Sequence, residues 1–313
     1  MAQRTPIGAG TASERRLAPG HEDASVHTFL RGAPDVQLAW LRERGYPDAT
    51  LLALHNACAQ ACFFCAGPGT TGVPDSERTP LAAARSQLRG RPEGVARLLV
   101  GGNEPTLHPE FDTLLAEAGP AGFSRVELMT NGARLREAAT RWARLGVAEV
   151  VVPLYSADAV THDAIVGTRA WHEVADGLDA SRAAGISARV HTLLLRENLA
   201  GLAALADLVR ARWGSRLGVA LLRDKGSFGH GRSAPPFGEL VAALAGIPEP
   251  SRPVGIGTPD CLPTHQEEPA LVAELYFRTQ ARRRGRGCVG CSSATCAGLV
   301  SGYEHDGVAL SAP

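Results

Sequence analysis

The chain has 313 residues, 44% of them hydrophobic, which is enough for one large α/β domain with a smaller appendage. It carries 32 Lys and Arg residues against 32 Asp and Glu residues, so no net charge favours nucleic acid or an anionic membrane as a partner. No run of 18 apolar residues is present, which excludes an ordinary membrane-spanning helix.

Residues 1–48 are polar and interrupted by Pro and Gly, with one possible short helix at residues 36–41. This composition predicts a partly irregular leader. The first 30 residues lack the apolar segment of a secretory signal peptide, so we expect a cytoplasmic protein. In a reducing compartment, seven cysteines favour metal binding or catalysis over a disulfide framework.

From Ala49 onward, short apolar runs alternate with stretches of helical period, a pattern typical of βα units around a parallel sheet. The predicted strands are residues 50–54, 97–100, 125–129, 149–154, 188–194 and 217–222. The predicted helices are residues 81–89, 110–118, 135–145, 171–184 and 199–213. We predict an α/β fold, a (β/α)6 partial TIM barrel over residues 49–232, with functional residues after the strands. On the fifth strand, we expect only one of Arg189 and His191 to face the lumen.

Cys58, Cys62 and Cys65 follow the first strand in the pattern C-x3-C-x2-C. Thiolates are the soft ligands of iron-sulfur clusters, which are usually held by cysteines at short fixed spacings. Three thiols leave one iron of a cubane without a protein ligand, so that iron is open to a substrate or cofactor. The alternatives are apolar cysteines buried in a core strand, or half of a zinc site.

With Phe64 before its third cysteine, this run resembles the C-x3-C-x-aromatic-C signature of radical S-adenosylmethionine (radical SAM) enzymes. The resemblance implies that Cys58, Cys62 and Cys65 hold a catalytic 4Fe-4S cluster, with Phe64 beside the cofactor. The open iron would chelate S-adenosylmethionine. An electron from a donor such as flavodoxin or ferredoxin would then release a 5'-deoxyadenosyl radical, which abstracts a hydrogen atom from the substrate.

Gly101, Gly102 and Glu104 follow the second strand. Glycines let a ligand approach the backbone, and a carboxylate accepts hydrogen bonds from an ammonium group. The segment resembles the family's GGE motif, which holds the methionine amino group, although Asn103 is inserted in it. The alternative is that Glu104 is an acid at a helix N-terminus.

Asn131 follows the third strand in an Asn-Gly turn, which is either a wall of the cofactor pocket or a plain turn. Ser156 follows the fourth strand, where the resemblance implies a polar contact to the ribose or carboxylate of S-adenosylmethionine. For His162 and Asp163 we expect a local structural hydrogen bond rather than a general acid/base pair.

Beyond about Ser233 the βα alternation stops, and residues 233–313 contain many prolines, Cys261 and a predicted helix near residues 269–284. A small C-x2-C-x4-C knot follows, formed by Cys288, Cys291 and Cys296. Metal ligation would supply the stability that so small a knot lacks. Together with Cys261 it makes a four-cysteine set that fits zinc or iron. The resemblance, here to the twitch and SPASM-like subgroups, implies an auxiliary 4Fe-4S cluster.

These patterns predict a radical SAM enzyme that oxidises or cross-links a peptide or a small biosynthetic intermediate. A leader of 48 residues is short for a peptide-recognition domain, so a separate leader-binding protein or a small-molecule substrate is expected. One alternative is a radical SAM epimerase or dehydrogenase in which Cys261 is a hydrogen donor instead of a ligand. Another is a zinc-binding structural or regulatory protein.

Overall fold

The computed structural model describes residues 39, 41–42, 46–54, 58–65, 78–222, 233–256, 258–259 and 261–265, and the backbone of residues 282–283 and 299–300. Its centre is an open sheet of seven strands that follow one another in chain order, from β1 at one edge to β7 at the other. Every neighbouring pair is parallel. The sheet confirms the predicted α/β fold, a partial barrel.

The strands are β1 Ala49–Leu54, β2 Arg97–Gly102, β3 Arg125–Met129, β4 Val147–Pro153, β5 Ser187–Leu194, β6 Gly218–Leu221 and β7 Val254–Gly255. The six predicted strands are confirmed, each to within two residues at its ends. The seventh strand was not predicted because a two-residue strand has no periodicity to detect.

The helices are α1 Leu81–Arg89, α2 Phe111–Ala118, α3 Leu135–Arg144, α4 Ala159–Val166, α5 Trp171–Ala183, α6 Arg196–Leu199, α7 Leu202–Trp213 and α8 Phe237–Ala245. The five predicted helices are present, although the last is divided into α6 and α7. The helices α4 and α8 were not predicted. None of the described helices is both long and apolar enough to cross a bilayer.

The prediction that the βα alternation ends near Ser233 is wrong. Helix α8 begins at Phe237 and leads to β7, which pairs with β6 and extends the sheet. The helix predicted near residues 269–284 lies mostly outside the described residues, as does the one at residues 36–41. It does not run through Arg282–Arg283, because these residues form strand β8, antiparallel to β9 at Leu299–Val300.

The two faces of the sheet differ in polarity, since successive side chains of a strand point to opposite sides. One face is apolar and buried; it includes Leu52, Leu54, Leu98, Val100, Val126, Leu128, Val150, Val152, Val190, Leu194, Val219 and Leu221. Helices cover this face. For example, Val152 of β4 and Val174 of α5 both lie within 3.5 Å of the position that a Cβ atom would take at Gly132, so strand and helix meet there. Burying each such side chain contributes about 1.5–3 kcal/mol.

The opposite face carries a row of alternating charges in the amino-terminal half of the strands. We name it the lumen ladder, and it consists of Arg97, Glu127, Arg125, Glu149 and Arg189. Glu127 Oε1 accepts from Arg97 Nη2 at 2.6 Å and from Arg125 Nε at 2.9 Å. Glu149 Oε2 lies 3.4 Å from Arg125 Nη2 and 3.0 Å from Arg189 Nε.

Arg189 and His191 both belong to the ladder's face, so the expectation that only one of them faces the lumen is wrong. Val151 pairs with Arg189 and Pro153 with His191, and residues two apart on a strand point the same way. The two differ in depth: the Arg189 side chain is 46% exposed, whereas His191 is 4% exposed. Burial lowers the pKa of His191 to about 4, so its ring is neutral at pH 7.

Candidate functional site

Four connections at the carboxyl-terminal edge of the sheet carry the predicted site residues. The segment Cys58–Cys65 follows β1, Glu104 follows β2, Asn131 follows β3 and Ser156 follows β4. Parallel strands bring these four connections to one edge, as the sequence predicted. Hydrogen bonds and ring contacts link neighbouring connections.

Glu104 is buried at the start of a 3-10 turn, Pro105–Leu107, and accepts four hydrogen bonds. Its Oε1 accepts from Thr106 N at 3.1 Å, from Thr106 Oγ1 at 2.5 Å and from Thr130 Oγ1 at 2.7 Å. Its Oε2 accepts from Asn131 N at 2.6 Å. Glu104 therefore caps a helical turn, as the alternative interpretation expected, and it also ties the end of β2 to the end of β3.

The four donors to Glu104 are all neutral groups, two hydroxyls and two backbone amides. Burial raises the pKa of this carboxyl, and the hydrogen bonds from Thr106, Asn131 and Thr130 oppose the rise. A carboxylate offers about four acceptor positions, and Oε2 uses one of its own for Asn131. The second lone pair of Oε2 is chemically suited to an ammonium donor.

Asn131 contacts both the carboxylate and the cysteine segment. Its backbone N–H donates to Glu104, its Oδ1 accepts from Ala133 N at 2.9 Å, and its Nδ2 donates to Cys58 Sγ at 3.7 Å. The bond to Ala133 is the turn that the sequence predicted. The other two bonds connect Asn131 to two predicted site residues, which a plain turn does not require.

The cysteine segment rests on the end of α4. Ala61 N donates to Val166 O at 2.9 Å, and Phe63 N donates to Ile165 O at 3.4 Å. At Gly167 φ is +73°, and a Cβ there would stand 3.0 Å from Ala61 O. Glycine is therefore required at the point where helix and segment meet, because a side chain would be both strained and too close.

The three thiols lie close enough to affect one another's ionisation. Cys58 and Cys62 are half-buried and Cys65 is exposed. Burial, together with the negative charges of Cys65 and Cys58, raises the pKa of Cys62 to about 12. Burial also raises the pKa of Cys58, against hydrogen bonds from Gln60 and Asn131. Such thiols become thiolates when a metal centre replaces their protons.

The donor set fits an iron-sulfur cluster. It consists of three soft sulfur ligands in one short segment, with an amide donor against the first of them. Within the part of the chain that the structure describes, no three Cys, His, Asp or Glu side chains converge to hold a single metal ion. A cubane does not need such convergence, because each thiolate binds a different iron.

Phe64 points its ring at Tyr155, with the ring centroids 5.2 Å apart. Tyr155 in turn stacks on His162 at 5.8 Å. These aromatic contacts pack the cysteine segment against the connection after β4. Tyr155 was not predicted, although it directly precedes the predicted residue Ser156.

His162 and Asp163 both serve local structure and do not bond to each other. His162 Nδ1 accepts from Tyr155 N at 3.1 Å, and burial lowers its pKa to about 4. Asp163 Oδ1 accepts from Ala170 N and Trp171 N, both at 2.9 Å, at the start of α5. Local structural hydrogen bonds were expected here, but their partners are backbone amides.

Ser156 is buried, and its Oγ accepts from Asp158 N at 3.0 Å.

Gly102, at the end of β2, packs directly against β1. Its φ is +140°, and a Cβ atom at this position would overlap the carbonyl group of Leu54. The glycine thus allows β1 and β2 to approach where the cysteine segment leaves the sheet. Gly101 is buried within β2 opposite Ala53.

Cys261 is half-buried in the loop after β7, where it packs against the hydrophobic core. Cys288, Cys291 and Cys296 lie outside the described residues. Whether these four cysteines form one metal site therefore stays a prediction.

Comparison with known proteins gives one family and several partial relatives. The family model for the Radical SAM superfamily matches residues 52–209, just over half of the 313 residues. The chain is similar to the mycofactocin maturase MftC of Mycobacterium tuberculosis, with 31% identity over 193 residues, which are 59% of this chain and 47% of that protein.

Two further relatives are named for different activities. The PqqA peptide cyclase of Streptomyces rochei is 29% identical over 206 residues, 65% of this chain and 56% of that protein. The GTP 3',8-cyclase of Tolumonas auensis is 29% identical over 150 residues, 46% of this chain and 44% of that protein. The chain thus spans about half the length of the curated relatives that it matches.

Proposed function

The chain belongs to the radical SAM superfamily, and on this premise we propose that Cys58, Cys62 and Cys65 hold a 4Fe-4S cluster that cleaves S-adenosylmethionine. The family implies an enzyme that uses both cofactors. When bound, they supply a 5'-deoxyadenosyl radical that abstracts a hydrogen atom. The observation that carries the proposal is the contact of Asn131 with both Cys58 and Glu104, which joins the thiols to a buried carboxylate.

In this proposal Glu104 binds the amino group of S-adenosylmethionine through the second lone pair of Oε2. The neutral donors around Glu104 support this role, because no cation among them already satisfies its charge. The Ser156 hydroxyl donates a hydrogen bond to the ribose or carboxylate of the cofactor, since its oxygen already accepts one from Asp158 N. Phe64 and Tyr155 keep water from the buried side of the cysteine segment.

For the substrate, we propose a peptide, which the enzyme oxidises or cross-links. The support is the similarity to a protein named as a peptide cyclase over 65% of this chain. A separate leader-binding protein and a flavodoxin or ferredoxin as electron donor complete the proposed set of partners. The similarity to a GTP cyclase keeps a small molecule as the second candidate substrate.

We also propose that Cys261, Cys288, Cys291 and Cys296 hold an auxiliary 4Fe-4S cluster that accepts an electron from the substrate radical. The number and spacing of these cysteines support the proposal. In the alternative, Cys261 donates a hydrogen atom and the product is an epimer. Cys261→Ala separates the two: loss of iron supports the cluster, whereas full iron content with solvent deuterium in the wild-type product supports hydrogen donation.

The test of the catalytic cluster is an anaerobic count of iron and sulfide, together with an assay for 5'-deoxyadenosine. In the triple variant Cys58→Ala, Cys62→Ala, Cys65→Ala we expect the loss of roughly half the iron and of all 5'-deoxyadenosine, because the catalytic cluster has no ligands left. Cys261→Ala is the control and should still form 5'-deoxyadenosine. Undiminished cleavage in the triple variant, or a colourless protein that binds only zinc, would contradict the proposal.

A further inference from the structure

We infer that Asn131 is a positioning residue that favours the reduced state of the cluster, through the hydrogen bond from its side-chain amide to Cys58 Sγ. This inference rests on the proposed function, because it requires a cluster at Cys58, Cys62 and Cys65. It goes beyond that function in naming a residue that is not a ligand yet sets how easily the cluster accepts an electron.

The orientation of the Asn131 amide is fixed by its other bonds. Ala133 N donates to Oδ1 at 2.9 Å, so the oxygen faces Ala133 and the NH2 group faces Cys58. A flipped amide would set NH2 against the backbone N–H of Ala133, so two donors would face each other and the partly buried N–H would lose its acceptor. The bond from Asn131 N to Glu104 Oε2 at 2.6 Å holds the backbone of the same residue.

The burial of Asn131 strengthens the effect of its hydrogen bond on Cys58. Asn131 is 7% exposed, so little water competes for Cys58 on this side. Reduction adds an electron to the cluster and makes its sulfur ligands more negative. A donor directed at a ligand sulfur therefore stabilises the reduced state more than the oxidised state and raises the reduction potential.

Among the described residues, Cys58 and Cys62 have opposite roles in their side-chain hydrogen bonds, since Cys58 accepts and Cys62 donates. The Cys62 thiol is directed at the acceptor Gln60 Oε1 at 3.8 Å, whereas Cys58 receives an amide donor. Asn131 thus donates through its side chain to Cys58 and through its backbone N–H to Glu104, the carboxylate proposed to bind the cofactor.

The experiment is a redox titration of the cluster-loaded full chain without S-adenosylmethionine, followed by visible absorption and electron paramagnetic resonance. In Asn131→Ser the hydroxyl still accepts from Ala133 N, as in ordinary Ser turns, but is too short to reach Cys58. We expect about a tenfold lower ratio of reduced to oxidised cluster at a given applied potential. For a one-electron couple, this corresponds to a reduction potential that is lower by ~59 mV. Asn131→Asp keeps the shape and the acceptor but removes the donor, and should lower the ratio further.

Asn103→Ser is the control, since it shortens an amide in the neighbouring connection after β2, and its potential should equal that of the wild type. A full iron content with an unchanged potential in both Asn131 variants would overturn the inference. Loss of the cluster from both Asn131 variants would also overturn it, because Asn131 would then serve assembly. Absence of iron from the wild-type protein would instead contradict the proposed function, so the two failures are distinguishable.

Discussion

The two ends of the sheet hold buried carboxylates in opposite ways. In the lumen ladder, at the amino-terminal end, Glu127 and Glu149 pair with arginines that are 25–46% exposed. At the carboxyl-terminal end, Glu104 is equally buried, but its partners among the described residues are all hydroxyls and backbone amides. The first arrangement neutralises charge within the protein, and the second holds a carboxylate without a counter-ion.

This difference supports the proposal that the amino-terminal end of the sheet serves stability and the carboxyl-terminal end binds the cofactor. A carboxylate paired with arginine has its charge satisfied by the fold and has little to offer a cationic ligand. A buried carboxylate held by neutral donors keeps a negative potential that a cation entering the site can use. The comparison therefore predicts that ladder variants lose stability, whereas removing the charge of Glu104 weakens cofactor binding.

The largest expected effect on stability follows from breaking the ladder. Arg97→Met should lower the free energy of unfolding by about 3 kcal/mol, because the buried Glu127 loses both hydrogen bonds from Arg97 and, among the described residues, keeps its pair with Arg125. Urea unfolding measures the loss. The matched control is Arg85→Met, which breaks a solvent-exposed pair with Glu117 and should cost much less, because water already screens an exposed ion pair. Equal losses in the two variants would contradict a structural role specific to the ladder.

The second effect is acid sensitivity at the carboxyl-terminal end of the sheet, where α4 supports the cysteine segment. Burial lowers the pKa of His162 to about 4, below the usual 6.5, so the unfolded chain binds a proton first as pH falls. Stability from this group is complete above pH 6.5 and is lost as pH falls toward 4. The loss between pH 7 and pH 4.5 should be roughly 2 kcal/mol.

His162→Gln tests this prediction by urea unfolding at both pH values, since Gln offers an acceptor to Tyr155 N but does not titrate. The variant should show a smaller loss on acidification than the wild type, with the remainder including His191, whose pKa burial also lowers to about 4. His172→Gln, at an exposed position, is the control. An unchanged pH dependence in His162→Gln would exclude His162 as the source.

The smallest expected effect comes from one neutral donor to Glu104. Thr130→Val keeps the shape of the side chain but removes the hydroxyl that donates to Oε1 at 2.7 Å and accepts from Gly132 N. We expect a loss of about 1 kcal/mol in the free energy of unfolding. Thr130→Ser keeps the hydroxyl and should lose less. A larger loss in Thr130→Ser than in Thr130→Val would show that packing, and not the hydrogen bond, matters here.

Periodicity predicted most of the sheet because its strands are apolar and buried on one face. It missed α4, which has no clear apolar stripe, although its ends carry two signals. Asp158 accepts from Thr161 N at 2.8 Å as an N-cap, and Gly167 ends the helix in the left-handed conformation. Both residue types are visible in the sequence, so a search for helix ends would have found this helix.

Local motifs predicted the candidate site residues, but they did not predict the contacts between them. The contact of Asn131 with Cys58 spans 73 residues, and that of Asn131 with Glu104 spans 27. Such contacts depend on the register of β1, β2 and β3, which a motif does not specify. The seventh strand and the packing role of Gly102 were missed for a related reason, since both depend on a neighbouring strand.

The most direct test compares Glu104→Gln with Glu127→Gln, the same change at the two ends of the sheet. S-adenosylmethionine binding to the cluster-loaded protein is measured by equilibrium dialysis, with iron counted in each sample. Glu104→Gln should weaken binding about 10- to 100-fold, the contribution of a charge-assisted hydrogen bond, at unchanged iron content, while Glu127→Gln should bind as the wild type does. Unaltered binding in Glu104→Gln would show that Glu104 only caps the turn Pro105–Leu107, and it would contradict the functional assignment of this end of the sheet.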